Sequence, residues 1–570
     1  MSPAGCSGGK GGRYLTIGGE MALLPRSAPY RNAAIVKNPG QGRTMTGNTQ
    51  ANEHLARPLG PFKRMQPTVF MGSAGLVVAF CIFGGGFTET ASATFEAVQA
   101  WIVDTLGWYY MLVTSALVLF AVGVVISPAG RLKLGKDDDE PEFGRVSWFA
   151  MLFAAGMGTG LVFWGVAEPL NHYMEPHYAE PQTAAAMQDA IRYSFFHWGL
   201  HPWAIYLVLA LAIAYYHFRI GLPLAPRSVL WPIIGKRIYG MAGHLTDILC
   251  TVGTLLGVAT SLGLGAMQIN AGLSMSMGID TSTMIQVIII ATITLVATIS
   301  VVSGVQRGIR RLSALNIGLA FALLLFVFLA GPTTYILDTY VGGLGVYFQT
   351  LIETSLETDF AINSDWQASW TLFYWGWWIS WSPFVGIFVA RISKGRTVRE
   401  LILATLLVPT AVTFLWMATF GGTALHLERF TEIDIAQQAV DDVAISLHLL
   451  LSELPLGSMT TVFATLVIII FFITSSDSGS LVDDMVTSGG HPHPPVSQRV
   501  FWAVSEGAVA STLLVVGGLL AIQQAAITMA LPMTLLLIAA CYGMVRAFTT
   551  DIREKGIPEQ RGIEGEVGED

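Results

Sequence analysis

Charge is what this sequence has least of. Only 12% of its 570 residues are Asp, Glu, Lys or Arg, while 53% are hydrophobic, against about 25% charged in an ordinary soluble domain. That excludes water as the main solvent. Cysteine is scarce too: Cys6, Cys81, Cys250 and Cys541 are scattered, three of them inside apolar runs. This excludes a disulfide framework or a metal knuckle and leaves packing as their role. No cleavable signal peptide is visible, because residues 1 to 66, rich in Gly, Pro, Arg and Asn, hold no apolar core of the required length. That stretch is expected to be a disordered cytoplasmic segment, with Met45, which opens "MTGNTQANE", as an alternative translation start. Catalytic constellations are missing as well. There is no HExxH, no Gly-x-Ser-x-Gly elbow in a suitable context and no pair of mid-span carboxylates, since Glu168 and Asp477 sit near span ends. An enzyme is not expected, and nothing points to a nucleic-acid partner.

What the chain has in abundance is apolar runs, many long enough to cross a hydrocarbon core of about 30 Å. The expected fold class is an all-α polytopic membrane protein with twelve spans: 68–87, 108–127, 146–166, 194–217, 245–274, 284–303, 314–337, 370–390, 400–424, 458–476, 499–520 and 523–547. The transporter domain is therefore 67–547, followed by a short cytoplasmic tail, 548–570.

Lys and Arg alternate between loops. One set of loops carries groups such as Arg131, Lys133, Lys136 and Arg145, or Arg391, Lys394, Arg396 and Arg399, whereas the alternate set carries only Arg192 and Arg429. Positive residues stay inside, so both termini are expected to be cytoplasmic, in a bacterial inner membrane. The net charge of −8 says little about partners, because its sign is sorted by loop. Three longer outer segments, 168–192, 338–369 and 425–457, hold amphipathic stretches expected to be short helices on the outer surface.

Four stretches carry chemistry. In "AAGMGTGLVFWG", Gly156, Gly158, Gly160 and Gly165 crowd one span, which predicts an unwound or bent helix whose freed carbonyls face a cavity and suit a hard cation such as Na⁺. In "FFITSSDSGS", Phe471, Thr474 and Ser475 share a face. Their hydroxyls either bond back to their own helix or serve as Na⁺ ligands. In "FFHWGLHPWAIY", Trp198, Trp203 and Tyr206 lie near Pro202, which should bend the helix. His197 and His201 there have the spacing of a metal pair, but no third ligand at metal spacing is apparent.

The fourth stretch, "WTLFYWGWWISWSPF", holds Trp370, Trp375, Trp377, Trp378 and Trp381. At about 100° per residue, Tyr374, Trp377, Trp381 and Phe384 fall within about 40° of Trp370, and Trp378 lies at about 80°. An interfacial belt accounts for Trp366 and Trp370 at the outer end. It does not account for rings one to two turns deeper. A quaternary ammonium has no N–H to donate, so hydrogen bonds cannot grip it. The negative faces of indoles can, each for about 0.5 to 2 kcal/mol.

Together with "GMGTGLVFWGVAEPL" and the longer run "WTLFYWGWWISWSPFVGIFVARISKGRTVRE", these stretches closely resemble the betaine/choline/carnitine transporter family over about 65–547. The resemblance implies a core of two inverted five-helix repeats, here about 146–337 and 370–547, working by alternating access, often in a homotrimer. It implies a substrate cage of Trp198, Trp203, Tyr206 and Trp378, with Trp377 and Trp381 lining the path to the cytoplasm. It implies one Na⁺ site at Ala154, Met157, Phe471, Thr474 and Ser475, the first two through backbone carbonyls. A second Na⁺ site matches at Thr254 and Phe384, but the second threonine of the family's pattern is Val258 here, which offers no oxygen. Choline-type members tend to carry an acidic residue where this chain has Gly160. A zwitterion such as glycine betaine or dimethylsulfoniopropionate is therefore expected, imported with Na⁺ as coupling ion and no other cofactor. The alternatives are a proton-coupled choline-type carrier and a Na⁺-independent carnitine/betaine exchanger.

Overall fold

The computed structural model describes residues 55–60, 62–156, 158–302, 306–361, 364–491 and 494–555. Fourteen helices of twelve residues or more dominate them. They are α1 Pro67–Gly86, α2 Thr88–Ile126, α3 Arg145–Gly156, α4 Thr159–Met174, α5 Ala184–Trp198, α6 Leu200–Ala214 and α7 Met241–Met277. The second half holds α8 Thr283–Val302, α9 Gln306–Ala330, α10 Thr333–Ser355, α11 Phe373–Ile392, α12 Val398–Phe430, α13 Gly457–Thr487 and α14 Val496–Lys555.

The chain is a multi-pass, helical membrane protein. Seven helices among the described residues are long and apolar enough to cross a bilayer, or eight if the bent pair α9–α10 counts as one span. Twelve spans were expected; the one at 284–303 corresponds to α8 and runs into residues outside those described, and the rest of the difference has physical causes. Two expected spans, 499–520 and 523–547, lie on α14, which is broken only at Gly517 and Gly518. The span expected at 146–166 is split between α3 and α4. Indoles and hydroxyls lower the hydropathy of α11. α11, which carries Trp377, Trp378 and Trp381, thus falls short, while the run that carries Trp198, Trp203 and Tyr206 is apolar enough to cross.

Three expectations need correction. Residues 1–54 of the expected disordered segment lie outside the described residues, but its end is ordered. Arg57–Leu59 and Phe62–Met65 form an antiparallel hairpin, turned by Gly60 at φ +55°. The Gln66 N–H donates to the Thr487 carbonyl (2.8 Å), so the hairpin is strapped to the end of α13. The span expected at 314–337 stops at Ala330, because Gly331 and Pro332 break it; α10 leaves at 110°. The stretch expected to lie on the outer surface near 446–452 is buried instead, with Leu447, Leu450 and Leu451 at most 1% exposed. Residues 556–570 of the tail lie outside the described residues.

Burial sorts the helices. A third of the apolar window of α1 is covered by protein, against 83% for α7 and 78% for the run containing α5 and α6. The uncovered side chains, such as Leu119 and Ile126, are 72% and 76% exposed, and lipid is the solvent that suits them. At the centre, α11 packs against α6, α7 and α14. Small residues permit the approach: a Cβ on Gly376 would meet the Ile527 backbone at 2.7 Å, and one on Gly257 the Trp381 backbone at 3.0 Å.

Candidate aromatic binding site

The site begins with a broken helix. α5 ends at Trp198 and α6 starts at Leu200, with Gly199 between them at φ −92°, ψ −134°. Pro202 has no N–H to offer the Trp198 carbonyl; the Thr413 hydroxyl of α12 donates to it instead, at 2.9 Å. The indole N–H of Trp378 on α11 donates to the freed His197 carbonyl at 3.1 Å. The break is therefore held by side chains of two other helices, and one of them belongs to the site.

The rings expected to form the cage come together. Trp198 and Trp378 meet edge to face, with centroids 4.9 Å apart and planes at 70°. Tyr206 stands at 79° to Trp378 (6.3 Å), and Trp203 at 82° to Tyr206 (5.7 Å). These are adjoining walls of a box. Trp377, Trp378 and Trp381 form a near-parallel stack along α11, at 4.5 Å for Trp377–Trp378 and 6.1 Å for Trp377–Trp381, and Phe384 continues it at 5.7 Å from Trp381. None of the six expected site rings is more than 4% exposed.

Buried donors accompany the rings. The indole nitrogens of Trp203, Trp377 and Trp381 and the Tyr206 hydroxyl are buried and make no hydrogen bond. Such groups cost free energy unless something accepts from them. Gly160 lies directly beneath Trp377, where a Cβ would come within 2.3 Å of Cη2. The absence of a side chain at this position is thus a condition for the Trp377 ring.

Of the expected Na⁺ ligands, Met157 lies outside the described residues, and Ala154 is placed only as a backbone position in α3. The Thr474 hydroxyl bonds back to the carbonyls of Ile470 (3.0 Å) and Phe471 (3.1 Å). Ser475 faces the glycine-rich break, since a Cβ on Gly158 would lie 3.6 Å from its Oγ. At the second expected position, the Thr254 hydroxyl is buried and unpartnered. Val258 packs where a Cβ on Gly479 would lie, 2.8 Å from its Cγ2.

Sequence reasoning missed the residue at the centre of the polar network. Glu168, fully buried on α4, accepts from the Trp198 indole N–H (2.8 Å) and the Tyr374 hydroxyl (2.5 Å) through Oε2. Its Oε1 lies 2.7 Å from Nδ1 of His197 and 3.4 Å from Nε2 of His172. His201, paired with His197 by spacing, instead stacks on Trp375 at 5.3 Å. Trp366 and Trp370, expected as interfacial anchors, are half-buried and pack on His177 and His172.

Fold and site define a class: a polytopic helical membrane protein with a cluster of buried, steeply inclined aromatic rings at its centre. The family follows from comparison with known sequences. The description "betaine/carnitine/choline family transporter" belongs to the family model that matches residues 68–553, and the chain belongs to that family. It is a transporter, not an enzyme. It is 47% identical to an uncharacterized transporter of Mycobacterium tuberculosis over 86% of this chain and 84% of that protein. It is 41% identical to the glycine betaine transporter OpuD of Bacillus subtilis, covering 85% of this chain and 95% of that one. It is also 41% identical to a glycine betaine/proline/choline/ectoine transporter of Vibrio parahaemolyticus, over 85% and 87%.

Proposed function

We propose that this chain is a Na⁺-coupled symporter importing a quaternary ammonium or sulfonium zwitterion of the glycine betaine or dimethylsulfoniopropionate type. One observation carries the reading: mutually perpendicular buried rings share their enclosure with buried N–H and O–H donors that have no acceptor. The ring faces suit a cation without N–H groups. The spare donors suit a carboxylate, whose charge-assisted bonds are the stronger kind. Choline has no carboxylate to offer them. Gly160 adds that no acidic side chain occupies the position beneath Trp377. The names of the Bacillus and Vibrio relatives agree with the substrate class.

In this proposal twelve spans form two inverted five-helix repeats preceded by two peripheral spans, with both termini in the cytoplasm and three copies assembled in the inner membrane. One Na⁺ binds between the glycine-rich break and Ser475, supported by the approach of Gly158 to that hydroxyl. Val258 supports a single ion over two. Na⁺ would favour the conformation in which the box is ordered, and by linkage ion and solute would raise each other's affinity.

The test is radiolabelled betaine uptake into proteoliposomes. Accumulation should disappear when Na⁺ is replaced by K⁺ and persist across pH; uptake indifferent to Na⁺ would sink the symport mechanism, and counterflow without Na⁺ would identify an exchanger.

A further inference from the structure

The Glu168, His172 and His197 side chains lie behind Trp198, whose indole N–H donates to Glu168, and none of the three is itself a wall of the cage. All three are fully buried, and one donor atom from each lies within 4.8 Å of the other two. The His172–Glu168 separation of 3.4 Å is long for a hydrogen bond. It matches the edge of a tetrahedron around an ion with bonds of about 2.0 to 2.1 Å, which is roughly 3.4 Å; Nδ1 of His197 instead hydrogen-bonds to the same Oε1 at 2.7 Å, so metal binding would require that ring to move outward and to release to solvent any proton held there. For two of the three, the outward atoms are held as metal ligands require, while Nδ1 of His172 is buried without a partner. Nε2 of His197 is 2.9 Å from the Thr371 hydroxyl, and Oε2 of Glu168 is fixed by Trp198 and Tyr374. The cluster is within reach of the surface, because the rings at 4.9 and 4.4 Å from His172 are those of Trp366 and Trp370, both half-exposed.

We infer that Glu168, His172 and His197 form a binding site for a divalent transition-metal ion, Zn²⁺ by donor set, which lowers the affinity of the box for its cationic solute. Two imidazoles and one carboxylate leave the fourth tetrahedral position to water. The ion changes this cluster from one negative charge to one positive. It does so directly behind Trp198, whose indole N–H bonds to Glu168, so it opposes a quaternary ammonium bound on the other side of that ring. That second part rests on the proposed function; the metal site does not.

Co²⁺ serves as a spectroscopic probe of the purified full chain, with folding checked by melting in detergent. One equivalent should give the intense visible bands of a tetrahedral site, displaced by Zn²⁺. His172→Gln should abolish them, and Thr371→Val, which spares every ligand, should weaken binding about tenfold or more. Absence of a one-equivalent site in the folded wild type, or unchanged bands in folded His172→Gln, overturns the inference. In proteoliposomes Zn²⁺ should raise the KM for betaine in the wild type and leave that of His172→Gln unmoved. An unmoved wild-type KM despite bound metal overturns the effect on affinity. Stoichiometric metal binding in a chain that transports no betaine would count against the proposed function and leave the metal site standing.

Discussion

At Trp378 two demands meet. Its ring is a wall shared with Trp198 and Tyr206, and its N–H holds the carbonyl freed by the break at Gly199. Trp378→Leu and Trp203→Leu should each cost about 2 kcal/mol of solute binding, the worth of a desolvated ring, or about thirtyfold in Kd. Trp370→Leu should cost far less, and equal affinities in the three variants would return the whole stretch to an interfacial role. Gly160→Ala brings a methyl group to within 2.3 Å of the Trp377 ring. It should move that ring and weaken binding at least about tenfold, measured by intrinsic fluorescence titration, with the melting temperature little changed. Helical spacing announced an aromatic face on α11, and the family resemblance, not spacing, singled out Trp198, Trp203, Tyr206 and Trp378 as a cage. Glu168 was not singled out. Its closer partners lie 29, 30 and 206 positions away, at His197, Trp198 and Tyr374, and the one local neighbour, His172 four residues on, stands at 3.4 Å.

Helix crossings depend on missing side chains. Gly376 lets α11 rest on the Ile527 backbone of α14, and a backbone cannot rotate away from a new methyl group. Gly376→Ala should therefore destabilise the protein by about 1 to 3 kcal/mol through overpacking. Gly75→Ala on α1, where an added Cβ meets nothing within 4 Å, should not. Thermal melting of the two purified variants makes the comparison, and a matching fall in both would show that the crossing is not tight. At this scale the sequence marked the break after Gly156 and the bend near Pro202. The bend at Gly331–Pro332 carried the same kind of signal and was outweighed by the apolar run around it. The hairpin at 57–65 was hidden for another reason: its stability comes from bonds to α13, such as Gln66 to Thr487, and from packing of Phe62 on Phe70.

For the whole molecule, charge governs energetics. A zwitterion carries no net charge, so in a symporter the membrane potential acts on the coupling ion, at about 2.3 kcal/mol per charge per 100 mV. One coupled Na⁺ should therefore give roughly a fiftyfold rise in steady-state betaine accumulation when a K⁺–valinomycin potential of about 100 mV is imposed. A ratio nearer the square of that value would mean two ions despite Val258. Apolarity, read from sequence, gave the membrane setting and an expected twelve crossings, of which seven or eight are long and apolar enough among the described residues. α11 carries indoles and hydroxyls and the α3–α4 pair carries glycines, and chemistry there dilutes the lipid-like composition by which a crossing is recognised, whereas the run holding Trp198, Trp203 and Tyr206 keeps it. The burial of every ring in the box also has a kinetic meaning. A solute inside it can leave no faster than helices separate, a motion of microseconds to milliseconds, so this enclosure sets a clock as well as an affinity. A trialkylammonium too bulky to be enclosed would find the rings but stall the cycle, binding as an inhibitor that is never carried across.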